Sequence, residues 1–124
     1  MNLSRTLMAQ VAVLLATVTA GAVLSGNLAD GPREVHRFMG LLAGILAAAT
    51  LVQAFITKAS PKIIGLLVVA LTFTFFAALA GSSLKTTSDY QSAFTNMRLS
   101  GVVALITAGI ALVLLLRKPP AKAE

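Results

Sequence analysis

The chain of 124 residues is 57% hydrophobic and only 11% charged, with a mean hydropathy of +0.90, which excludes a soluble globular domain of this size. A net charge of +6 would point to nucleic acid in a soluble protein, but here the charges stand at the ends of apolar runs, where lipid headgroups lie, so no nucleic-acid partner is expected. With no cysteine there are no disulfides, thiolate metal sites or covalent c-type haem attachment.

Four apolar runs follow in chain order, at 6–24, 38–56, 63–80 and 99–116. At a rise of about 1.5 Å per residue, runs of this length nearly cross a hydrocarbon core of roughly 30 Å. The expected fold is therefore all-α: an integral membrane four-helix bundle that spans 1–124 as one domain. No run carries Asp, Glu, Lys, Arg or His in its interior, which argues against an ion path or proton relay and against the small four-helix multidrug exporters, whose coupling needs a carboxylate inside the membrane.

The first run resembles a secretion signal, since Arg5 precedes it and Ala20, Gly21 and Ala22 end its apolar stretch. It is long enough to span, and its removal would leave three helices without a regular pairing, so a retained helix is expected. Gln10 in this run and Gln53 in the second stand at similar depth, and a hydrogen bond between them is expected.

The second run opens with Glu34-Val35-His36-Arg37-Phe38-Met39-Gly40 and carries the only histidine of the chain. At helical spacing the face under His36 is Gly40, Ala43, Ala47, Thr50 and Ala54, all small. Such a trough suits a cofactor held by the imidazole. It equally suits a closely packed neighbouring helix, the ordinary role of small residues in lipid and of the Gly40/Gly44 pair in particular. The imidazole itself can serve as an interfacial polar group bonded to a carbonyl or water. The connection 57–62 is short and Pro61 fits the first turn of a helix, so the second and third helices are antiparallel neighbours. Phe73, Phe75 and Phe76 crowd the third run, where core or lipid contact is expected rather than cofactor stacking. Pro119-Pro120 cannot continue the fourth helix.

A shift of 61 positions lays the second helix on the fourth: His36 on Met97, Arg37 on Arg98, Gly40 on Gly101, Ala43 on Ala104 and Ala47 on Ala108. The first and third helices correspond less well, with Thr19 and Gly26 against Thr74 and Gly81. The chain thus reads as two pseudo-repeated helical hairpins. Helices two and four are expected to meet near the bundle axis through Gly40, Ala43, Ala47, Gly101, Ala104 and Ala108.

The E-V-H-R-F-M-G opening of a Leu/Ala-rich helix after an outer loop resembles one half of the heme A synthase family. It is also similar to small four-helix membrane proteins with a V-H-R opening of helix two. The resemblance covers the fold and about twenty residues. It implies a b-type haem near the outer face, with His36 at the ligand position of helix two. The matching position in helix four is Met97 rather than histidine, and the family's catalytic glutamate has no counterpart, so haem binding is implied without synthase chemistry. Imidazole and thioether are both axial ligands of low-spin haem iron, and methionine raises the potential relative to two histidines. Arg37 and Arg98, with Arg33 nearby, suit haem propionates, because guanidinium binds carboxylate as a fork. Gly40 and Gly101 leave room for a flat ring, and Met39 is a lesser ligand candidate. Met97 also reads as packing, and the arginines as headgroup anchors.

Two function classes follow. One is a haem-binding membrane protein for electron transfer or haem handling. The other is a cofactor-free structural or assembly subunit, whose partners beyond the bilayer are a larger membrane complex or further copies of the chain. No nucleophile–base pair, carboxylate pair or phosphate loop supports an enzyme.

Arg5, Lys58, Lys62, Arg117, Lys118 and Lys122 gather at one end, against Arg33, Arg37, Lys85 and Arg98 among acidic residues at the other. The positive-inside bias places both termini in the cytoplasm and the His36 loop outside. Cysteines introduced at Ser60 and Ser83 are therefore expected to react with an impermeant thiol reagent from opposite sides of the membrane. Labelling of both from the outside would overturn this topology.

Overall fold

The computed structural model describes residues 2–24, 30–82 and 90–117, with side chains over 2–20, 36–80, 92 and 95–117. Four helices follow in order: α1 (Leu3–Leu24), α2 (Asp30–Ile56), α3 (Pro61–Ser82) and α4 (Tyr90–Leu116). All four are long and apolar enough to cross a membrane, and the fold is an all-α four-helix bundle of an integral membrane protein. α2 and α4 begin well before their apolar runs, because helical backbone bonding continues past the lipid boundary. Gly26, Lys85, Asp89 and the tail from Lys118 to Glu124 lie outside the described residues.

Local chemistry sets the helix ends. At the start of α1, Asn2 Oδ1 accepts the backbone N–H of Arg5 at 2.9 Å, and at the start of α3, Ser60 Oγ accepts that of Ile63 at 3.3 Å. Each cap satisfies an amide that has no partner within its helix, and Pro61 occupies the first turn, where it gives up no bond. α2 ends differently. Lys58 has φ 56°, its N–H donates to the Phe55 carbonyl at 3.2 Å, and the Ala59 N–H donates to the Ala54 carbonyl at 2.9 Å. This is a Schellman motif with lysine at the left-handed position that glycine usually fills.

Apart from Thr6, which is buried beside the seam, the buried residues repeat at alternating steps of three and four: Leu3, Leu7, Gln10 and Leu14 on α1, Ala43, Ala47, Thr50 and Ala54 on α2, Ile63, Leu67, Ala70 and Thr74 on α3, and Ala104, Ala108 and Ala111 on α4. That spacing keeps one seam of each helix on the bundle axis. The 61-residue correspondence of α2 and α4 therefore falls on their buried faces. For α1 and α3 the structure corrects the expected pairing: the buried faces match at a shift of 60, Leu7 on Leu67 and Leu14 on Thr74. Thr19 is exposed whereas Thr74 is buried, so those two are not equivalent.

α1 packs on α2 and α4, and so does α3, which makes a square. Among the described residues no Cα of α2 comes within 8 Å of one of α4. The expectation that helices two and four meet is thus corrected. Their alanine faces do point to the axis, but the space they leave is taken by Leu3, Leu7 and Leu14 of α1 and by Ile63 and Leu67 of α3, on the other diagonal. Large side chains such as Phe38, Leu41, Ile45, Phe55 and Phe75 are exposed on the outer surface, where lipid tails are as apolar as the side chains themselves. Phe73 is half-buried and meets Phe76 edge to face at 5.6 Å.

A non-glycine residue in the left-handed region costs on the order of 1–2 kcal/mol, part of which glycine returns through its freer unfolded chain. Lys58→Gly is therefore expected to stabilise the bundle by about 1 kcal/mol. A thermal unfolding midpoint in detergent that stays level or falls would show that Lys58 makes a compensating interaction.

Candidate functional site

His36 stands where the membrane-crossing part of α2 begins, seven residues above Ala43 on the buried seam. Met97 is likewise seven residues from Ala104 on the seam of α4, the helix on the opposite corner of the square. Both are half-buried. Neighbouring helices pack with axes roughly 8–10 Å apart, so opposite corners of such a square are roughly 11–14 Å apart.

Polar satisfaction sets His36 apart. Its Nδ1 is buried and has no hydrogen-bond partner among the described residues. Five hydroxyls within the spans behave otherwise: Thr17, Thr50, Thr72, Thr74 and Thr107 each donate to the carbonyl four residues earlier, at 2.7–2.9 Å. Such back-bonding removes a hydroxyl's need for water. The His36 imidazole makes no such bond through Nδ1 among the described residues.

The glycines below the two residues differ. A Cβ built on Gly101 would meet Val18 Cγ2 of α1 at 3.4 Å, whereas one on Gly40 or Gly44 would meet nothing within 4 Å among the described residues. Gly101 thus marks a close approach of α4 to α1, and no described residue closes on Gly40 in the same way. The expected role of Gly40 and Gly44 as a helix-contact pair is corrected by this lack of a close neighbour among the described residues. The two hairpins, alike in their alanine seams, part company at this level.

Arg37 and Arg98 are exposed at the rim, one residue beyond His36 and Met97. Met39 is half-buried one turn along from His36. The side chains of Arg33 and Glu34 lie outside the described ones. Two shallow grooves occur in the other half of the bundle, one beside Thr6, Ala49 and Gln53 and one beside Ser4, Lys58 and Leu116, and neither includes His36 or Met97.

The sequence reading paired Gln10 with Gln53, and the structure does not: neither amide atom of Gln10, fully buried, has a hydrogen-bond partner among the described residues. Its place on the 3-7-10-14 seam was the signal that it points to the axis rather than along the α1–α2 surface. No protein family, curated protein or solved structure matches the chain.

Alanine at position 40 gains helix propensity of up to about 1 kcal/mol over glycine without a clash. Gly40→Ala is expected to fold normally with a raised unfolding midpoint. A lowered midpoint would mean that a neighbour closes on Gly40 after all.

Proposed function

We propose that this small integral membrane protein binds a b-type haem at the outer end of the bundle, which His36 and Met97 would hold, and serves electron transfer or haem handling. The observation that carries the reading is the His36 imidazole, turned onto the bundle seam with Nδ1 buried and without a hydrogen-bond partner among the described residues. Leaving such a nitrogen unsatisfied costs about 1–3 kcal/mol, so the position suits a side chain meant for a ligand.

Three further features support it. Met97 occupies the matching seam position of α4, on the opposite corner, with more than 8 Å between the α2 and α4 backbones. No described residue closes on Gly40, and Ala43, Ala104 and Ala77 keep the walls near that level thin. Arg37 and Arg98 stand at the rim, where carboxylates of a membrane-embedded ligand would reach water. When bound, the group supplies a one-electron couple, and a methionine ligand sets it at a higher potential than a second histidine would. In this arrangement α2 and α4 orient the two ligands, and the alanine seam below shuts out water.

The protein expressed with ample haem and purified in detergent is expected to show a Soret band and the sharp reduced bands of a low-spin b-type centre. His36→Ala should lose the spectrum, and Met97→His should keep it with a lower midpoint potential. A purified wild-type chain with no Soret band under those conditions leaves the cofactor-free subunit as the reading that remains.

A further inference from the structure

Gln10 is as buried as any residue in the bundle, with no exposed surface, and neither Nε2 nor Oε1 has a partner among the described residues. An amide carries two donors and an acceptor with two lone pairs, and inside a lipid-embedded bundle no bulk water reaches them. Unsatisfied buried polar groups are rare in folded proteins, and each calls for a physical explanation.

Its surroundings supply one. Leu3 shares a groove with Lys58 and Leu115, Thr6 shares one with Gln53, and Val18 approaches Gly101, and helical rise from these contacts brings Gln10 to the level of Ala47 and Thr50 on α2 and of Ala108 and Ala111 on α4, with Ala70 at the corresponding place in the buried pattern of α3. Ala47, Thr50, Ala70, Ala108 and Ala111 are at most 1% exposed. One level toward the chain ends, the α1–α3 diagonal is filled by Leu7 and Leu67. At the Gln10 level alanine stands where the second leucine would, a side chain three carbons smaller, and one water takes about 30 Å³ in the liquid. The same level offers a polar partner. Thr50 Oγ1 spends its hydrogen on the Leu46 carbonyl at 2.7 Å and keeps lone pairs to accept another bond. Gln10 does not reach Thr50 directly, since its Nε2 donates to nothing among the described residues.

We propose that Gln10 and Thr50 hold an internal water molecule between α1 and α2, on the alanine-lined side of the axis. The water accepts from Gln10 Nε2 and donates to Thr50 Oγ1, and its second hydrogen is available to Gln10 Oε1. One molecule thereby answers the amide and ties the first hairpin together through a bridge. The second hairpin, with Ala70 and Ala111 at the matching positions, has no counterpart. This site is independent of any haem at the outer end.

The test uses the full chain, ¹⁵N-labelled, in micelles or nanodiscs. The Gln10 side-chain NH₂ signal, identified by its loss in Gln10→Leu, should show a cross-peak to a water that stays bound for longer than nanoseconds. Thr50→Val keeps the shape of the side chain and removes the acceptor, and it should weaken that cross-peak several-fold. Ala70→Leu adds those three carbons and should abolish the cross-peak and lower the unfolding midpoint by several degrees, and adding Gln10→Leu should restore the midpoint by recreating a leucine diagonal. Absence of the cross-peak in the wild-type chain overturns the site. A cross-peak unchanged in Thr50→Val removes the bridge, and one that survives in a folded Ala70→Leu chain places the water elsewhere.

Discussion

Alanine on one diagonal and leucine or isoleucine on the other is the constraint on which this bundle depends. Lipid tails are as apolar as leucine, so helices gain nothing from hiding hydrophobic surface and must associate through close packing. The alanine seams of α2 and α4 allow both neighbours to come near, and the longer side chains of α1 and α3 then reach the axis and fill it. Were all four seams small, the axis would be hollow; were all four large, the square would open. Every larger feature, including the separation of α2 from α4, follows from that division of volume.

The division changes along the bundle. From Leu3 to Leu14 on α1 the axis is filled by aliphatic side chains, apart from the Gln10 level. Above Leu14 and Ala43 the described seam positions become Thr17, Gly40, Ala77 and Gly101, too small to fill the same cross-section. The one histidine stands at that end. Val18 closes on Gly101, whereas among the described residues nothing comes within 4 Å of a Cβ built on Gly40. A cofactor reading and a plain packing reading of His36 predict the same helix but different surroundings, and it is this lack of a close neighbour together with the unpartnered nitrogen that favours the cofactor.

Two polar side chains stand out against the threonines. A threonine hydroxyl sits close enough to its own backbone to bond a carbonyl one turn back, so five of them enter the spans at little cost. Gln10 and His36 are longer and carry their polar atoms away from their own helices toward the axis. Each is left facing a level where the neighbouring seams are small. Length of side chain, rather than polarity alone, thus separates residues that satisfy themselves from residues whose polar atoms have no hydrogen-bond partner among the described residues.

The sequence by itself determined the four spans, the small face beneath His36, and the 61-residue correspondence of the alanines of α2 with those of α4. These are properties of single helices or of periodicity, and hydropathy and a 3.6-residue repeat carry them without reference to neighbours. The tertiary structure decided the rest: that α2 and α4 stand on a diagonal, that α1 matches α3 at a shift of 60 rather than by Thr19 and Thr74, that no described residue closes on Gly40 or Gly44, and that Gln10 makes no bond to Gln53. Each depends on how far side chains from different helices reach toward one axis. That sum over four seams is not written in any one of them, because the same alanine face packs against a partner helix or against that helix's leucines depending on what the other three contribute.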